Sequence, residues 1–156
     1  MDGNDFLAHE NVLTKLNRVY SKPSIWMTYG NFLDYPSYRQ IPIKCKPFPK
    51  NVVFNNSFRS HEPVELHLKT FYAGLFKQIQ KEDLLYNGTF YPKDATLAYF
   101  LPLLEMAGKH AQFINDVLYL RSKAPSSLPK ECLSHLKKLP HYKRLKTLPS
   151  TEVSTN

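Results

Sequence analysis

Apolar residues recur at intervals of three and four along the first part of the chain. The apolar positions are Val12, Leu13, Leu16, Val19 and Tyr20, and polar residues such as Glu10, Asn11, Lys15 and Asn17 lie between them. This spacing places the apolar side chains on one face, and it predicts an amphipathic helix over residues 9–20. Lys22-Pro23 ends the pattern, because the residue before a proline avoids the helical region.

Two stretches rich in β-branched and aromatic residues predict strands. The first runs from Ser24 to Tyr35, and the second runs from Gln112 to Leu120. Residues of these types favour a pleated, half-buried surface. Gly30 lies inside the first stretch, where a glycine typically marks a bulge or the close approach of another backbone.

Helical spacing returns in four further segments. They are a short segment from Pro49 through Val52, Val53 and Phe54 that ends at Asn55-Asn56, then Tyr72–Lys77, Asp94–Met106 with a stop at Gly108, and Glu131–Leu139. Pro102 lies inside the third of these, where it should kink the helix or limit its first turn. Strands that alternate with helices predict an α/β fold, with a small mixed sheet of few strands covered by helices.

Composition and charge indicate a globular body with a basic tail. The 156 residues are 42% hydrophobic and 13% aromatic, which suits a chain with a genuine core. The formal net charge is +8, and the seven Lys and Arg and two Glu after Arg121 account for +5 of it. Such a tail suits contact with an anionic membrane surface or with nucleic acid, and equally a solvated end. We therefore divide the chain into a body over 1–121 and a partly disordered basic linker and tail over 122–156.

Several functional classes are disfavoured by the sequence. It has no zinc-finger spacing, no RNP-type run and no heptad basic region, so no nucleic-acid partner is expected. Cys45 and Cys132 form neither a metal clip nor a disulfide framework, which favours a reducing compartment. No secretory signal and no apolar run of about 20 residues are visible. The sequence predicts a cytoplasmic protein, and peripheral contact with a membrane through the tail is an open alternative to a solvated end.

The first five residues gather oxygen-bearing side chains around one glycine. Asp2, Asn4 and Asp5 surround Gly3, and oxygen ligands of this kind are those that Mg²⁺ and Mn²⁺ prefer. The same residue types also form turns and cap helices. Asp5 in particular precedes the first predicted helix, where an acid complements the positive end of the dipole. Local chemistry leaves both interpretations open.

The order of several motifs along the chain favours the metal-binding interpretation of Asp2, Asn4 and Asp5. Asp2-Gly3-Asn4-Asp5-Phe6-Leu7 resembles the Asp-Gly-Asp-Asp-Trp-Leu signature of family 2 glycosyltransferases, which have the GT-A nucleotide-sugar fold. Five later segments fall in an order similar to the second half of such enzymes: Trp26-Met27-Thr28-Tyr29-Gly30, Asn55-Asn56-Ser57-Phe58-Arg59, His67-Leu68-Lys69-Thr70-Phe71, Leu101-Pro102-Leu103-Leu104-Glu105-Met106-Ala107 and Val117-Leu118-Tyr119. The resemblance covers about residues 1–121. It implies a partial GT-A-like fold without the nucleotide-binding half, in a fragment or a shortened relative.

The resemblance implies transfer of a sugar, with inversion, from a nucleotide-diphosphate sugar to a hydroxyl of a glycan or lipid-linked acceptor. It implies a divalent cation, Mn²⁺ or Mg²⁺, on Asp2, Asn4 and Asp5, which would neutralise charge on the leaving diphosphate. Asn4 stands where the family generally has its second Asp, so metal binding would weaken.

Three further residues are candidates for substrate binding. His67 and Lys69 are candidates for contact with donor phosphate or acceptor, and Trp26 is a candidate for stacking on a sugar. Without the family, the first two are ordinary surface residues and Trp26 is a core anchor.

The catalytic base is the weakest part of the resemblance. The family usually places an acid just before the Leu-Pro-Leu-Leu-Glu-Met-like helix, and alignment puts Thr96 there, which cannot act as a base at neutral pH. Asp94 is the nearest replacement, although two positions turn a side chain to another face. Asp94 also suits the N-terminus of a helix, and Glu105 suits a structural role.

Three functions are therefore compatible with the sequence. The first is a glycosyltransferase portion, for which turnover by this chain alone is an open question. The second is a non-catalytic, degenerate relative that serves as an interaction module. The third is a small basic protein that binds anionic surfaces through its tail.

Overall fold

The computed structural model describes residues 4–38, 45–62, 66–91, 96–122 and 128–150. In chain order, the helices and strands are β1 (Phe6–Leu7), α1 (Val12–Tyr20), β2 (Met27–Asp34), α2 (Lys50–Asn55), β3 (Thr70–Phe71), α3 (Ala73–Phe76), β4 (Leu85–Tyr86), β5 (Thr89–Phe90), α4 (Thr96–Ala107), β6 (Ala111–Arg121) and α5 (Lys130–Lys138). Four strands form a mixed sheet in the order β1-β6-β2-β3, and β4 pairs with β5. The predicted mixed α/β class with helices and a small sheet is confirmed.

Contacts divide the chain into two compact units. Unit 1 comprises Met1–Pro49, Pro63–Thr70 and His110–Pro125, and unit 2 comprises Lys50–Glu62, Phe71–Lys109 and Ser126–Asn156. The division between a body over 1–121 and a tail over 122–156 stays a prediction. Among the described residues, no helix has the length and apolar character that crossing a bilayer requires.

Helix α1 packs its apolar face against the central strand of unit 1. Val12 and Leu16 are buried against Ile114 and Leu118 of β6. The amphipathic helix is confirmed, although it begins at Val12 rather than at residue 9. The expectation that Asp5 complements the dipole of this helix is wrong, because the effect is confined to the first turn and α1 begins well after Asp5.

Strand β2 lies beside β6 and confirms the strand predicted over 24–35. It runs parallel to β6, with the register shifting on both sides of Asn31. A Cβ atom on Gly30 would lie 2.5 Å from the carbonyl oxygen of Ile114. The predicted bulge and the predicted close approach of a second backbone at Gly30 are therefore both confirmed.

Unit 2 contains the helices predicted after Pro49, and each is confirmed. Helix α4 continues past Pro102 and is followed by Gly108, whose φ of +52° is the left-handed conformation common at helix ends. Asn56, with φ +55°, follows α2 in the same way. Most of α4 is buried, and Cys132 and Leu136 of α5 pack in a cluster of unit 2 with Tyr91 and Ala98.

A buried ion pair and its hydrogen bonds join four segments of unit 2. Nε and Nη2 of Arg59 donate to Oε1 and Oε2 of Glu105 at 2.7 and 3.0 Å, and Nη1 donates to the Leu136 carbonyl at 2.6 Å. The backbone N–H of Tyr142 donates to the same Oε2 at 3.0 Å. Both charged side chains are fully buried. Glu105 therefore has a structural role, and the described tail residues Leu136 and Tyr142 take part in it.

The Gly30→Ala variant is expected to lower the free energy of unfolding by about 1–3 kcal/mol, because a methyl group must displace the Ile114 backbone. Urea unfolding followed by the fluorescence of Trp26 measures this change. Gly30→Val should be less stable still. Equal or greater stability of Gly30→Ala would contradict the close approach, since restriction of the unfolded chain alone stabilises such variants.

The Glu105→Leu variant is expected to lower the free energy of unfolding by about 3–5 kcal/mol, because it leaves the Arg59 guanidinium buried without its partner. The double variant Arg59→Met/Glu105→Leu should recover much of that loss. Thermal unfolding monitored by circular dichroism compares them with the control Glu131→Gln, which alters an exposed acid of α5. A single variant as stable as this control would contradict the assigned role.

Candidate functional site

Asp5 is anchored to the end of β6. Its Oδ1 accepts hydrogen bonds from the backbone N–H and the hydroxyl of Ser122 at 2.8 and 3.2 Å, and its Oδ2 accepts from the Tyr119 hydroxyl. Burial raises the pKa of Asp5, but these hydrogen bonds outweigh burial and hold the pKa below its ordinary value. The carboxylate is charged at neutral pH and ties the start of the chain to β6.

His67 contacts Tyr119, the tyrosine that donates to Asp5. Its ring stacks on the ring of Tyr119, with centroids 4.8 Å apart and planes at 5°, and it meets the edge of Phe32 at 4.9 Å. The pKa of His67 is lowered to about 3, chiefly by burial; the positive charges of Lys69 and Arg121 act in the same direction, and Asp5 opposes them. His67 is therefore neutral at pH 7 and does not supply a positive charge to this region.

Three residues that the sequence assigned to two roles, metal binding and substrate binding, thus lie close together. Asp5, a candidate metal ligand, and His67, a candidate substrate-binding residue, both contact Tyr119. Lys69 lies close enough for its charge to act on His67. We call Asp5, His67, Lys69 and Tyr119 the strand-end cluster.

Sequence reasoning missed two members of this region. Tyr119 belongs to a motif that carried the family resemblance, but nothing local indicated that it would join Asp5 and His67. Arg121 was also missed; its Nε and Nη2 lie 2.8 and 2.7 Å from Oδ1 of Asp34, and its guanidinium lies 4.5 Å from the ring centroid of Phe32. Its position two residues after Tyr119 on a strand, facing the same side, was the available signal.

Trp26 lies apart from the strand-end cluster. It immediately precedes β2, at the end of the sheet where Met27 pairs with Ala111. Its indole stacks on His110 with centroids 3.9 Å apart, and only 4% of the residue is exposed. This environment favours the interpretation of Trp26 as a core anchor.

The remaining candidate residues are only partly described. Asp2 and Asp94 lie outside the described residues, Asn4 is exposed, and Thr96 is the first residue of α4. The assignment of Asp94 as the base, with Thr96 at the family's base position, stays a prediction.

The described donors test the metal site only in part. Within residues 4–38, 45–62, 66–91, 96–122 and 128–150, no group of three His, Cys, Asp or Glu side chains is placed to hold a metal ion. The oxygens of Asn4 and Asp5 suit a hard cation, but both oxygens of Asp5 already accept hydrogen bonds from β6 and Ser122. Asp5 therefore fits the role of an anchor between this end of the chain and β6, and a ligand set would need Asp2, which lies outside the described residues.

Comparison of the chain with protein-family models, with curated proteins and with solved structures finds no match. The likeness to family 2 glycosyltransferases therefore depends on the motifs of the chain itself.

The free energy of unfolding is expected to fall as the pH is lowered from about 6.5 to about 5, by roughly 1.4 kcal/mol per pH unit. The unfolded chain binds a proton at residue 67 below pH 6.5, whereas folded His67 resists protonation down to about pH 3. The pH range from 6.5 to about 5 lies above the ordinary pKa of an aspartate, so Asp5 does not contribute to this loss of stability.

Urea unfolding at several pH values measures this slope. The His67→Phe variant keeps an aromatic ring against Tyr119 and should flatten the slope, whereas the control His9→Gln changes an exposed histidine. An unchanged slope in His67→Phe would contradict the burial of a neutral imidazole.

Proposed function

We propose that residues 1–121 form part of the sugar-transfer site of a family 2-type glycosyltransferase with a GT-A-like fold. The substrates are a nucleotide-diphosphate sugar donor and a glycan or lipid-linked acceptor. The observation that carries the proposal is the strand-end cluster, because it joins a residue of the metal motif to the two candidate phosphate- or acceptor-binding residues. Asp5 lies more than sixty positions before His67 and Lys69 in the sequence.

In this proposal, Asp2 and Asn4 hold a divalent cation and Asp5 holds the turn that presents them. The bound cation supplies charge neutralisation at the leaving diphosphate. Anchoring of a ligand-bearing turn by hydrogen bonds is the usual way in which a site fixes the direction of its ligands. The hydrogen bonds from Tyr119 and Ser122 to Asp5 support that division of roles.

The chemistry of the cluster suits a substrate with both negative charge and hydroxyl groups. Lys69 provides a positive charge for a phosphate oxygen, and the neutral imidazole of His67 provides a donor or an acceptor for a hydroxyl. The family resemblance assigns the proton of the acceptor hydroxyl to Asp94, since Thr96 lacks the basicity for this role.

Mn²⁺ is expected to broaden the amide NMR signals of Phe6, Leu7 and Ser122, because these residues adjoin the turn, and added UDP should strengthen the effect. The Asp2→Ala variant should abolish the broadening. Asp5→Asn should weaken Mn²⁺ binding about tenfold or more, which is typical when the support of a ligand is removed.

The control is Glu10→Gln, which removes an exposed acid shortly after the turn and should leave the titration unchanged. Broadening that is absent, or that survives in Asp2→Ala, would refute the proposed site. Binding of Mn²⁺ and UDP without any sugar transfer by a chain that contains Asp94 would instead favour the non-catalytic relative.

A further inference from the structure

Three exposed aromatic rings follow one another at the edge of unit 1. Phe6 meets Tyr35 with centroids 5.5 Å apart at 61°, and Tyr35 meets Tyr38 at 5.7 Å and 87°. They are 50%, 42% and 57% exposed. We call these three residues the aromatic ladder.

The backbone holds the aromatic ladder in place. The N–H of Tyr35 donates to the Arg121 carbonyl at 2.7 Å, and the N–H of Tyr38 donates to the Asp34 carbonyl at 2.6 Å. The Ser37 hydroxyl donates to the same Asp34 carbonyl at 3.2 Å. Exposed rings on a fixed turn form a pre-organised surface, which lowers the entropic cost of binding.

Tyr38 occupies a conformation that its side chain does not favour. Its φ is +50°, in the left-handed region where glycine or asparagine is usual. Residues in strained backbone conformations cluster at active sites and ligand-binding sites. The strain at Tyr38 keeps a ring exposed beside Tyr35.

The geometry points to the aromatic ladder as a binding surface for a pyranose ring. The C–H face of a sugar packs on the electron-rich faces of aromatic rings. The carboxylate of Asp34 lies in the same turn and is 31% exposed, and carboxylates accept strong hydrogen bonds from hydroxyl groups.

Size and charge favour a small saccharide over other occupants. Three half-exposed aromatic side chains offer roughly 300 Å², well below the about 800 Å² per partner of a stable protein interface. The described charges beside the ladder are Asp5 and the Asp34–Arg121 ion pair, and this set has no net positive charge to attract an anionic membrane. A mono- or disaccharide matches both the small area of the surface and its charge.

The position of the aromatic ladder gives the bound sugar a role. The ladder adjoins the strand-end cluster along the backbone, because Phe6 directly follows Asp5 and the N–H of Tyr35 donates to the carbonyl of Arg121, two residues after Tyr119. We assign the bound pyranose as the acceptor sugar; that role rests on the proposed function, whereas saccharide binding itself does not.

Fluorine NMR of the chain labelled with fluorotyrosine tests the proposal. The probes are methyl β-glucopyranoside, methyl β-galactopyranoside, N-acetylglucosamine and their β-1,4-linked disaccharides. At least one saccharide is expected to shift the signals of Tyr35 and Tyr38. Its affinity should fall about fivefold or more in Tyr35→Ala and Tyr38→Gly, as expected for loss of an aromatic contact.

Two comparisons separate binding from folding. Tyr38→Gly suits the left-handed backbone, so it should unfold at the same or a higher temperature although it binds the saccharide less well. Tyr38→Trp keeps an aromatic ring at this position and should bind the saccharide as well as the unaltered chain does. Phe54→Ala removes the 79% exposed ring of α2 and should leave the saccharide affinity unchanged. Marked destabilisation of Tyr38→Gly would show that the ring is structural and would overturn the proposal.

Other outcomes also decide the matter. Absence of saccharide-induced shifts would overturn the proposal. So would a protein that binds no saccharide but binds phosphatidylcholine–phosphatidylglycerol vesicles, or self-associates, through contacts that the ladder variants abolish. Saccharide binding that depends on Tyr35 and Tyr38, in a chain that binds no Mn²⁺ and UDP, would uphold the surface and refute the proposed transfer function alone.

Discussion

Tyr119 makes the two contacts on which the candidate site depends. Its hydroxyl donates a hydrogen bond to Asp5, and its ring stacks against the imidazole of His67. Tyr119 can make both contacts because β6 is an inner strand of the sheet. Tyr119 pairs with Leu7 of β1 on one side and with Phe32 of β2 on the other. The parallel pairing of β2 with β6 therefore determines which residues meet at this end of the sheet.

The two units use buried charge differently. In unit 2, Arg59 and Glu105 satisfy each other and neighbouring backbone groups away from solvent, which suits a structural role. In unit 1, Asp5 is partly buried and keeps a lowered pKa, while His67 loses its charge through burial. Unit 1 thus holds a charged and a neutral polar group side by side, an arrangement typical of sites that bind polar ligands.

Local sequence signals predicted the helices and long strands well. The 3,4 spacing of α1 and the β-branched and aromatic content of β2 depend on short-range preferences, and both elements are present. Their exact limits were less accurate, since α1 begins only at Val12, where its first buried residue lies. Gly30 was also interpreted correctly, because few roles suit a glycine inside a strand.

Long-range contacts escaped prediction for a physical reason. The partners of Asp5 lie more than 110 positions away along the chain, at Tyr119 and Ser122, and spacing within a segment carries no information about them. For that reason Asp5 was expected at a helix dipole, whereas it is anchored to β6. The same applies to Arg59 and Glu105, which lie in two of the family-like motifs but were not paired from sequence.

The central claim is that the turn anchored through Asp5 and Tyr119 presents a cation to a diphosphate. The most direct test is crystallography of the chain grown with Mn²⁺ and UDP, with the metal located by its anomalous scattering. The account predicts a manganese peak at the side-chain oxygens of Asp2 and Asn4, with UDP phosphate oxygens on the ion and the Tyr119–Asp5 hydrogen bond intact. Manganese and UDP bound elsewhere, with the Asp2–Asp5 turn making no contact to either, would contradict it.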